Sequence, residues 1–427
     1  MIPIDFKNAA QKLLEDNILR FWAEKMRDPR GGFYGRMDGH NVLHPEAERG
    51  AVLNARLLWS FSAAYRVLHK PEYLEAARWT KDYIEAHFLD REFGGCYWSL
   101  TADGTPLDTK KQTYAIGFMI YGFSEYARAT GDKQALQQAI LLFNDIEAHA
   151  YKSSIVNRQI VNGYVEALTR DWQPIADMRL SDKDENAAFT MNTHLHILEP
   201  YTNLYRIWPD ERLRERLQTL IGIFTDRLYN PINHHVDCFF DTDWNGRRDI
   251  ASYGHDIEAA WLLNEALTVL NDEPLTSQVR PITANIANAS LEGLQPDGSM
   301  IHEAKFIGAP NATYKGCGGE SGDTEDLNVA ERQSASEVVD RERQWWVLCE
   351  QVIGCVDQWQ LTKDDTWYQR AESAYQYIEQ HLIDREHGEW FWAILPDGTP
   401  DTANDKAGFW KCPYHNSRMC LELIERL

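Results

Sequence analysis

The stretch of this 427-residue chain most suited to chemistry is residues 252–261, which read SYGHDIEAAW. A small-residue turn opens an apolar helix there, with His255 in its first turn, Glu258 one turn on and Trp261 one turn further. Residues three or four apart share a helix face, so an imidazole, a carboxylate and an indole can point into one pocket. The positive end of a helix favours neutral histidine, the form that a proton-abstracting base requires.

A second cluster of aromatic and histidine residues closes the chain at 408–418, which read GFWKCPYHNSR. It contains Trp410, His415 and Arg418. Two clusters of this kind indicate acid/base chemistry on a ring that stacks on tryptophan, because indoles bind apolar ring faces. A sugar is the substrate class that this combination favours.

Composition narrows the class of protein. The chain is 44% hydrophobic and 25% charged, as in globular proteins that bury a large core. Its net charge of -22 argues against nucleic acid and anionic membranes as partners. No apolar run approaches the roughly 20 residues that span a bilayer, and no signal peptide is recognisable. Seven cysteines without paired spacing read as reduced thiols, so we expect a cytoplasmic protein. We also expect a monomer or a weak homodimer.

The elements that must position these clusters recur along the chain. Six segments join aromatic or β-branched residues to a turn, and each is followed by a helical pattern: 33–39, 95–104, 163–172, 236–246, 294–298 and 390–398. Their Asp-Gly and Asn-Gly steps supply the positive φ that tight hairpins need. A period of about 60 to 70 residues fits one helical hairpin plus one short β-hairpin per repeat.

Apolar residues at three- and four-residue spacing predict about twelve helices. The predicted helices are 5–26, 50–67, 72–88, 111–130, 134–150, 187–206, 210–228, 254–270, 275–291, 338–360, 364–382 and 406–426. Six helix pairs close most simply into an all-α (α/α)6 barrel, so we expect one catalytic domain over residues 1–427. The more apolar helices should form the inner ring. Residues 303–337 read as an inserted loop near the barrel mouth.

If the inner helices begin on the hairpin face, polar side chains in their first turns converge on one cavity. These residues are Asn54, Arg56, Tyr114, Asn192, His196, His255, Glu258, Trp261, Trp346, Glu350, Trp410, His415 and Arg418. A buried helical ring would otherwise carry Leu, Ile and Ala there, so the set is either a polar network or a site. Trp261, Trp346 and Trp410 are expected to stack on a sugar, and Trp346, beside the insertion, is expected to bind the second ring of a disaccharide.

Other histidines have more ordinary explanations. His194 lies about 160° round the helix from Asn192, so we expect it to face away from the cavity. His194 and His196 lie two residues apart on different helix faces, and the adjacent side chains of His234 and His235 diverge. The sequence therefore predicts no bound metal.

Four motifs, in order along the chain, resemble a known family. Residues 49–59 (RGAVLNARLLW), 192–196 (NTHLH), 254–258 (GHDIE) and 409–418 (FWKCPYHNSR) are similar to the cellobiose 2-epimerase branch of the N-acylglucosamine 2-epimerase superfamily. The resemblance spans nearly the whole chain and implies an (α/α)6 barrel. The insertion at 303–337 leaves open whether Trp345 or Trp346 matches the family tryptophan.

The resemblance also implies roles for individual residues. Arg56 matches the catalytic arginine, and His255 and His415 match the two acid/base histidines. His196 matches an auxiliary histidine, and Glu258 a carboxylate that supports a histidine. Tyr114, Trp261, Trp346, Glu350 and Trp410 match substrate-facing positions, and we add Asn192 from its place in the ring.

Epimerisation at C2 of a reducing-end sugar suits these residue types. The hemiacetal must open, a proton must leave C2, and another must return on the opposite face. Histidines transfer protons near neutral pH, and an arginine stabilises the enediolate. No cofactor is required. The open alternatives are an N-acylglucosamine 2-epimerase, a mannose-type aldose–ketose isomerase, a glycoside hydrolase using Glu258 and Glu350, and a sugar-binding protein.

Overall fold

The computed structural model describes residues 5–156, 159–181, 184–247, 250–307 and 336–427. Its long helices form two sets that alternate along the chain. The first set comprises α2 (Ala51–Leu68), α4 (Thr113–Thr130), α6 (Met191–Ile207), α8 (Tyr253–Leu270), α10 (Trp345–Thr362) and α12 (Tyr414–Arg426). The second comprises α1 (Phe6–Leu13), α3 (Pro71–Tyr83), α5 (Lys133–Asp145), α7 (Glu211–Ile223), α9 (Glu273–Ser290) and α11 (Asp365–Tyr377).

The first set forms a closed inner ring. Each inner helix packs against the next, and α12 returns to α2, while every outer helix packs against an inner neighbour. α2 and α4 are buried over nearly their whole length, whereas α7 and α11 bury only one face. This difference follows from their sequences, because a helix packed on all sides must be apolar all round. The predicted (α/α)6 barrel is confirmed.

Most outer helices continue into a wider, π-helical final turn. These turns are Leu14–Leu19 and Trp22–Met26 after α1, Ile84–Phe88, Ile146–Ala150, Phe224–Leu228 and Ile378–Leu382, while α9 ends in a 3₁₀ turn at Leu291–Gly293. No helix among the described residues is both long enough and apolar enough to cross a membrane.

Short antiparallel strands connect the helices. They are Arg49–Gly50, Ser99–Leu100, Pro106–Asp108, Lys111–Gln112, Tyr151–Val156, Gln159–Tyr164, Ala167–Leu168, Phe189–Thr190, Phe239–Phe240, Gly246–Arg247, Ile250–Ser252, Glu303–Ile307, Ser336–Asp340, Arg343–Gln344 and Ala393–Ile394. As the Asp-Gly steps predict, Gly104 and Gly398 have φ of 88° and 87°. At the Asn-Gly step the positive φ falls instead on Trp244, at 60°.

Three inner helices begin later than the sequence predicts. α6 starts at Met191 because Phe189–Thr190 pairs with Phe239–Phe240 as a strand. α10 starts at Trp345 because Arg343–Gln344 pairs with Ala393–Ile394. α12 starts at Tyr414, directly after Pro413, and a proline disfavours helical backbone in the residue before it. In each case tertiary pairing or proline geometry overrides the helical spacing.

The ends of the predicted insertion are ordered strands and not irregular loop. Glu303–Ile307 pairs with Ser336–Asp340, and its first residues also pair with Ile250–Ser252, which leads directly into α8. The stem of the insertion is therefore fixed to the start of the helix that carries His255. Residues 308–335, which include the glycine-rich run at 316–322, lie outside the described part of the chain.

Candidate active site

A cavity of about 380 Å³ opens at the N-terminal ends of the inner helices. Its walls combine residues from all six inner helices with residues from the connecting loops. Lining residues are Arg56, Tyr114, Leu180, Ser181, Asp184, Asn192, His196, His255, Glu258, Trp345, Trp346, Trp392, Trp410 and His415. Most of the residues that the sequence places in the site therefore do share one cavity.

Each of the three cavity histidines turns its Nδ1 atom towards a protein partner. His415 Nδ1 lies 2.8 Å from Glu350 Oε1, and His196 Nδ1 lies 3.0 Å from Glu199 Oε2. His255 Nδ1 lies 2.8 Å from the Ser252 hydroxyl. These contacts fix the rings and leave the Nε2 atoms for the cavity, which is the arrangement that proton transfer to a bound molecule requires.

The surroundings keep these histidines neutral. Burial, with the neighbouring imidazoles of His196, His302 and His415, lowers the pKa of His255 to about 3. Burial and the charges of Arg56 and Arg418 hold the pKa of His415 well below its usual range. Burial also lowers the pKa of His196, although Glu199 opposes that shift. A neutral imidazole has the free lone pair that a base needs.

Arg56 is a buried cation whose hydrogen bonds go to neutral groups. Its Nη2 donates to the Tyr114 hydroxyl at 2.8 Å, and its Nη1 reaches the Trp410 carbonyl at 3.4 Å. Its guanidinium carbon lies 4.2 Å from the Phe118 ring centre and 4.6 Å from that of Tyr414. Among the described residues its Nε has no partner. The charge is therefore available to an anion that forms in the cavity.

A buried ion cluster lies under the cavity, centred on Arg418. Arg418 Nη2 donates to Glu258 Oε1 at 2.6 Å and to Glu350 Oε1 at 2.7 Å. Its Nη1 contacts Glu199 Oε1 and the Tyr414 hydroxyl. Arg418 and the three carboxylate side chains are all 1% exposed or less. One guanidinium thus binds carboxylates from three different helices.

The three acids respond differently to this environment. Burial alone would raise the pKa of Glu199, but Arg418 and the His196 hydrogen bond bring it down to about 2. Burial and the nearby charge of Glu350 raise the pKa of Glu258 well above its usual range. Burial raises the pKa of Glu350 as well, against the effect of Arg418. The carboxylates therefore cannot be treated as equivalent anions.

Two residues expected to face the substrate lie beneath the cavity instead. Trp261 is 1% exposed, and its indole nitrogen donates to Glu350 Oε2 at 2.9 Å. Glu350 is fully buried and is occupied by Trp261, His415 and Arg418. Both sit one turn or more below the first turn of their helices, and there the packed helices leave no space for a ligand. Their position is that of supporting residues.

Glu258 also differs from its expected role. It lines the cavity, but its hydrogen bond goes to Arg418 and not to His255. The histidine beside it on α8 is held by Ser252, and the supporting carboxylate is Glu350, which contacts His415. Helical spacing places two side chains on one face, but rotamers decide which partners they reach.

Both candidate tryptophans at the start of α10 line the cavity. The Trp346 ring centre lies 4.7 Å from that of His255 and 5.9 Å from that of His415. Trp345 is more deeply buried and packs 4.6 Å from Trp392. Trp346 therefore stands beside both histidines, where a reacting ring would lie. This position differs from the more distant subsite expected beside the insertion.

Sequence reasoning missed several residues of the site. Leu180, Ser181 and Asp184 reach the mouth from the loop before α6, and Trp392 comes from the hairpin before α12. Their loop positions carry no helical period that would have marked them. Glu199 had a usable signal, because it is an acid three residues after His196 on a helix predicted to belong to the inner ring.

His194 lies where the helix phase predicts, away from the cavity. Its Nδ1 lies 2.6 Å from the Thr190 carbonyl, and its Nε2 accepts the Tyr164 amide hydrogen at 3.0 Å. Both nitrogens are therefore used inside the core. Burial lowers the pKa of His194 to about 4.

One group of side chains has the composition of a metal site. Ligand atoms of Glu258, Glu350 and His415 lie within 4.8 Å of one another. Arg418 already binds both carboxylates, however, and the His415 nitrogen on that side faces Glu350. The guanidinium occupies the position that a cation would take, so the group does not fit a metal. The predicted absence of a metal stays a prediction.

The chain is similar to known proteins over nearly its whole length. A cellobiose 2-epimerase of Bacteroides fragilis is 49% identical over 419 residues, covering 98% of each chain. One of Ruminococcus albus is 36% identical over 414 residues, covering 97% of each chain. The solved cellobiose 2-epimerase of Bacillus thermoamylovorans superposes with a TM-score of 0.85 at 36% identity, covering 99% of each chain.

The family profile described as N-acylglucosamine 2-epimerase matches residues 32–292 and 321–418. The gap between the two matched segments, residues 293–320, covers the residues that lead into the insertion and the first part of the insertion. The cavity residues on the inner helices, from Arg56 to His415, lie within the match, whereas α1 and the end of α12 lie outside it. The chain therefore belongs to the N-acylglucosamine 2-epimerase family.

Proposed function

We propose that this protein is a cellobiose 2-epimerase, which inverts C2 of the reducing-end glucose in β-1,4-linked disaccharides. Cellobiose would give glucosyl-mannose, and lactose would give epilactose. The observation that carries the proposal is one cavity holding two neutral histidines, each fixed through Nδ1, beside an arginine whose hydrogen bonds go to neutral groups. The relatives named above support the choice of substrate.

The reaction begins when the sugar ring opens. One histidine accepts the proton of the anomeric hydroxyl while the ring oxygen takes up a proton from solvent, since both histidines start neutral, and this exposes the aldehyde. The C2 proton then becomes acidic because the aldehyde stabilises the resulting carbanion as an enediolate. His255 and His415 are assigned to these proton transfers, and each well-placed acid or base contributes about 10²- to 10⁴-fold in rate.

Inversion follows if one neutral histidine removes the C2 proton while the other, which became protonated when it accepted the proton of the anomeric hydroxyl, returns that proton to the opposite face. The electron pair of the broken C–H bond moves into the enediolate and returns to form the new C–H bond. Arg56 stabilises the oxyanion, as a buried fixed cation does without solvent reorganisation. The N-terminal ends of six inner helices converge on the same cavity, and their partial positive charges act in the same direction.

A second sugar ring fits the outer part of the cavity. Trp392 and Trp410 offer partly exposed indoles, and Ser181 and Asp184 offer polar groups at the mouth. Asn192 lines the wall with an Oδ1 atom that has no partner among the described residues. An aromatic platform with a few polar groups is the usual composition of a sugar subsite.

Geometry disfavours the glycoside hydrolase alternative. That chemistry needs two carboxyl groups about 5 to 9.5 Å apart with the scissile bond between them. Glu258 and Glu350 instead accept from the same Arg418 nitrogen, and Glu350 is fully buried. No glycosidic bond could pass between them.

Proton NMR of cellobiose incubated with the protein in heavy water tests the proposal. We expect signals of a mannose reducing end and solvent deuterium at C2 of the product. Epimer without deuterium at C2, even at early times, would rule out deprotonation and reprotonation. A ketose product would favour the aldose–ketose isomerase, and free glucose the hydrolase. Binding without any product would leave only a sugar-binding protein.

A further inference from the structure

We infer that Glu258 is a neutral carboxylic acid, whose O–H group donates a hydrogen bond to the substrate oxygen that becomes negatively charged. The inference rests on the proposed function and changes the role of one of its residues. It differs from the role that the family resemblance implies, in which this carboxylate supports a histidine. Hydrogen bonds around Arg418 distinguish the three acids.

Glu199 is occupied by donors on both oxygens. Its Oε1 accepts from Arg418 and Tyr414, and its Oε2 faces His196 Nδ1 at 3.0 Å. A guanidinium N–H can only donate, so the Glu199 oxygen that it contacts must accept. Glu199 is therefore the ionised partner of Arg418.

Glu350 is occupied in the same way. Its Oε2 accepts from the Trp261 indole at 2.9 Å, and an indole N–H can only donate. Its Oε1 accepts from Arg418 at 2.7 Å and faces His415 Nδ1 at 2.8 Å. With the Nδ1–H tautomer of His415, which leaves Nε2 free as a base, both oxygens accept from donors, so Glu350 is also assigned as ionised.

Glu258 alone has an unused oxygen. Its Oε1 accepts from Arg418 at 2.6 Å, but its Oε2 is buried and has no partner among the described residues. Two ionised carboxylates already exceed the charge of one guanidinium. A third buried anion would be strongly unfavourable, whereas a proton on Oε2 removes the charge and creates a donor. Burial and the Glu350 charge raise the Glu258 pKa, in agreement.

A neutral donor at this position serves the proposed reaction. Glu258 lines the same cavity as Arg56, His196, His255 and His415, while Tyr114 contributes from α4. A donor placed where negative charge develops lowers the barrier, and no proton needs to leave it. Once ionised at high pH, Glu258 would instead repel the enediolate, because its free oxygen could only accept.

The pH dependence of kcat/KM on cellobiose tests this role with Glu258→Gln and Glu258→Ala. Glutamine keeps a neutral donor, so Glu258→Gln should retain at least about a tenth of kcat near neutral pH. Loss of the donor in Glu258→Ala should cost about 10²- to 10³-fold. We expect kcat/KM of wild type to fall at alkaline pH, as Glu258 ionises, and this fall should be absent in Glu258→Gln. Equal losses in both variants, or an unchanged alkaline fall, would overturn the inference.

Two measurements need no substrate and separate this inference from the proposed function. The infrared difference between wild type and Glu258→Gln at pH 7 should contain the carbonyl band of a protonated carboxyl group. Glu166, another buried acid, has a pKa raised to about 8 by burial, but it is common to both proteins and cancels. Absence of the band would show an ionised Glu258.

Thermal unfolding provides the matched control. Glu199→Gln removes the negative charge of the carboxylate that pairs with Arg418 and should lower the Tm clearly. Glu258→Gln replaces one neutral group with another and should lower it much less. Equal losses would mean that both carboxylates are ionised. If wild type fails to epimerise any disaccharide, the proposed function fails, while the infrared and unfolding results still decide the charge state.

Discussion

The three cavity histidines differ in the partner of their Nδ1 atoms. His415 and His196 face carboxylates, whereas His255 faces the Ser252 hydroxyl. A carboxylate stabilises the imidazolium that forms when a base takes up a proton, and a hydroxyl does so much less. At His415 this effect is opposed by the charges of Arg56 and Arg418, which help to hold its pKa well below its usual range.

Substitution of the two histidines should abolish most of the turnover. His255→Ala and His415→Ala should each lower kcat by at least about 10²-fold, because each removes a proton-transfer group. His194→Gln is the control, since His194 is buried with both nitrogens used by the backbone. It should lower the Tm but change kcat of the folded protein only a few fold. A kcat loss as large as that of His415→Ala would contradict this.

Substitution of two tryptophans should distinguish the residue that binds the reacting sugar ring from the residue that binds the second ring. Trp346 touches both histidines, so Trp346→Ala should lower kcat/KM equally for cellobiose and for mannose. Trp392→Ala should weaken only the disaccharide, by about 1 to 3 kcal/mol of transition-state binding, because it removes contact area and no chemistry. Steady-state kinetics on both sugars decide the assignment. A selective disaccharide loss in Trp346→Ala would reverse it.

At the level of helices, the inner ring has opposite electrostatics at its two ends. The N-terminal ends surround the candidate active site, and the C-terminal ends surround a second, polar cavity of about 360 Å³. Four of these helices carry an arginine in their last turn: Arg66, Arg128, Arg206 and Arg426. Cations there offset the partial negative charge of converging helix ends, each by about 0.3 to 1 kcal/mol.

Loss of one of these arginines should reduce stability without affecting catalysis. Arg66 binds Glu125, whose side chain is 1% exposed, and also Glu425. Arg66→Met leaves Glu125 with Arg128 at 3.5 Å and should lower the free energy of unfolding by about 2 to 3 kcal/mol. Urea unfolding measures this. Arg20→Met is the control, because Arg20 and Glu24 are 64% and 60% exposed, and its cost should be near zero.

In the whole molecule, contact between elements near the two ends of the chain completes the barrel. α12 packs against α2 to complete the ring, and α1 packs against α12 from outside. The first and last helices are thus parts of one core, which favours a single domain over residues 1–427. Calorimetry should show one unfolding transition, coincident by far- and near-ultraviolet circular dichroism. Two separated transitions would contradict a single cooperative domain.

The scattered exposed apolar residues and the net charge lead us to expect a monomer. Large exposed apolar residues in the described ranges are spread over separate elements, as Val42, Phe93, Leu141, Ile232 and Leu361 illustrate. A net charge of -22 adds repulsion between copies. Sedimentation should therefore give about the 49.3 kDa of one chain, with weak dimer at most appearing at high salt. A stable dimer at micromolar concentration would contradict this expectation.

Local patterns in the sequence determined much of this protein. Helical spacing and Asp-Gly turns predicted the repeated helix pairs, because both depend on residues close together in the chain. The same spacing brought Arg56, His196, His255 and His415 to one end of the inner ring. It also turned His194 away, since that follows from 3.6 residues per turn alone.

Tertiary structure decided which partners these side chains meet. Glu258 contacts Arg418 across 160 residues of sequence, and Trp261 reaches Glu350 across 89. Packing between separate elements sets the depth of each residue below the barrel mouth. It also places Ser181 and Trp392 at that mouth. Periodicity fixes the face on which a residue lies, whereas the packing of neighbouring helices fixes its depth and the atoms within reach.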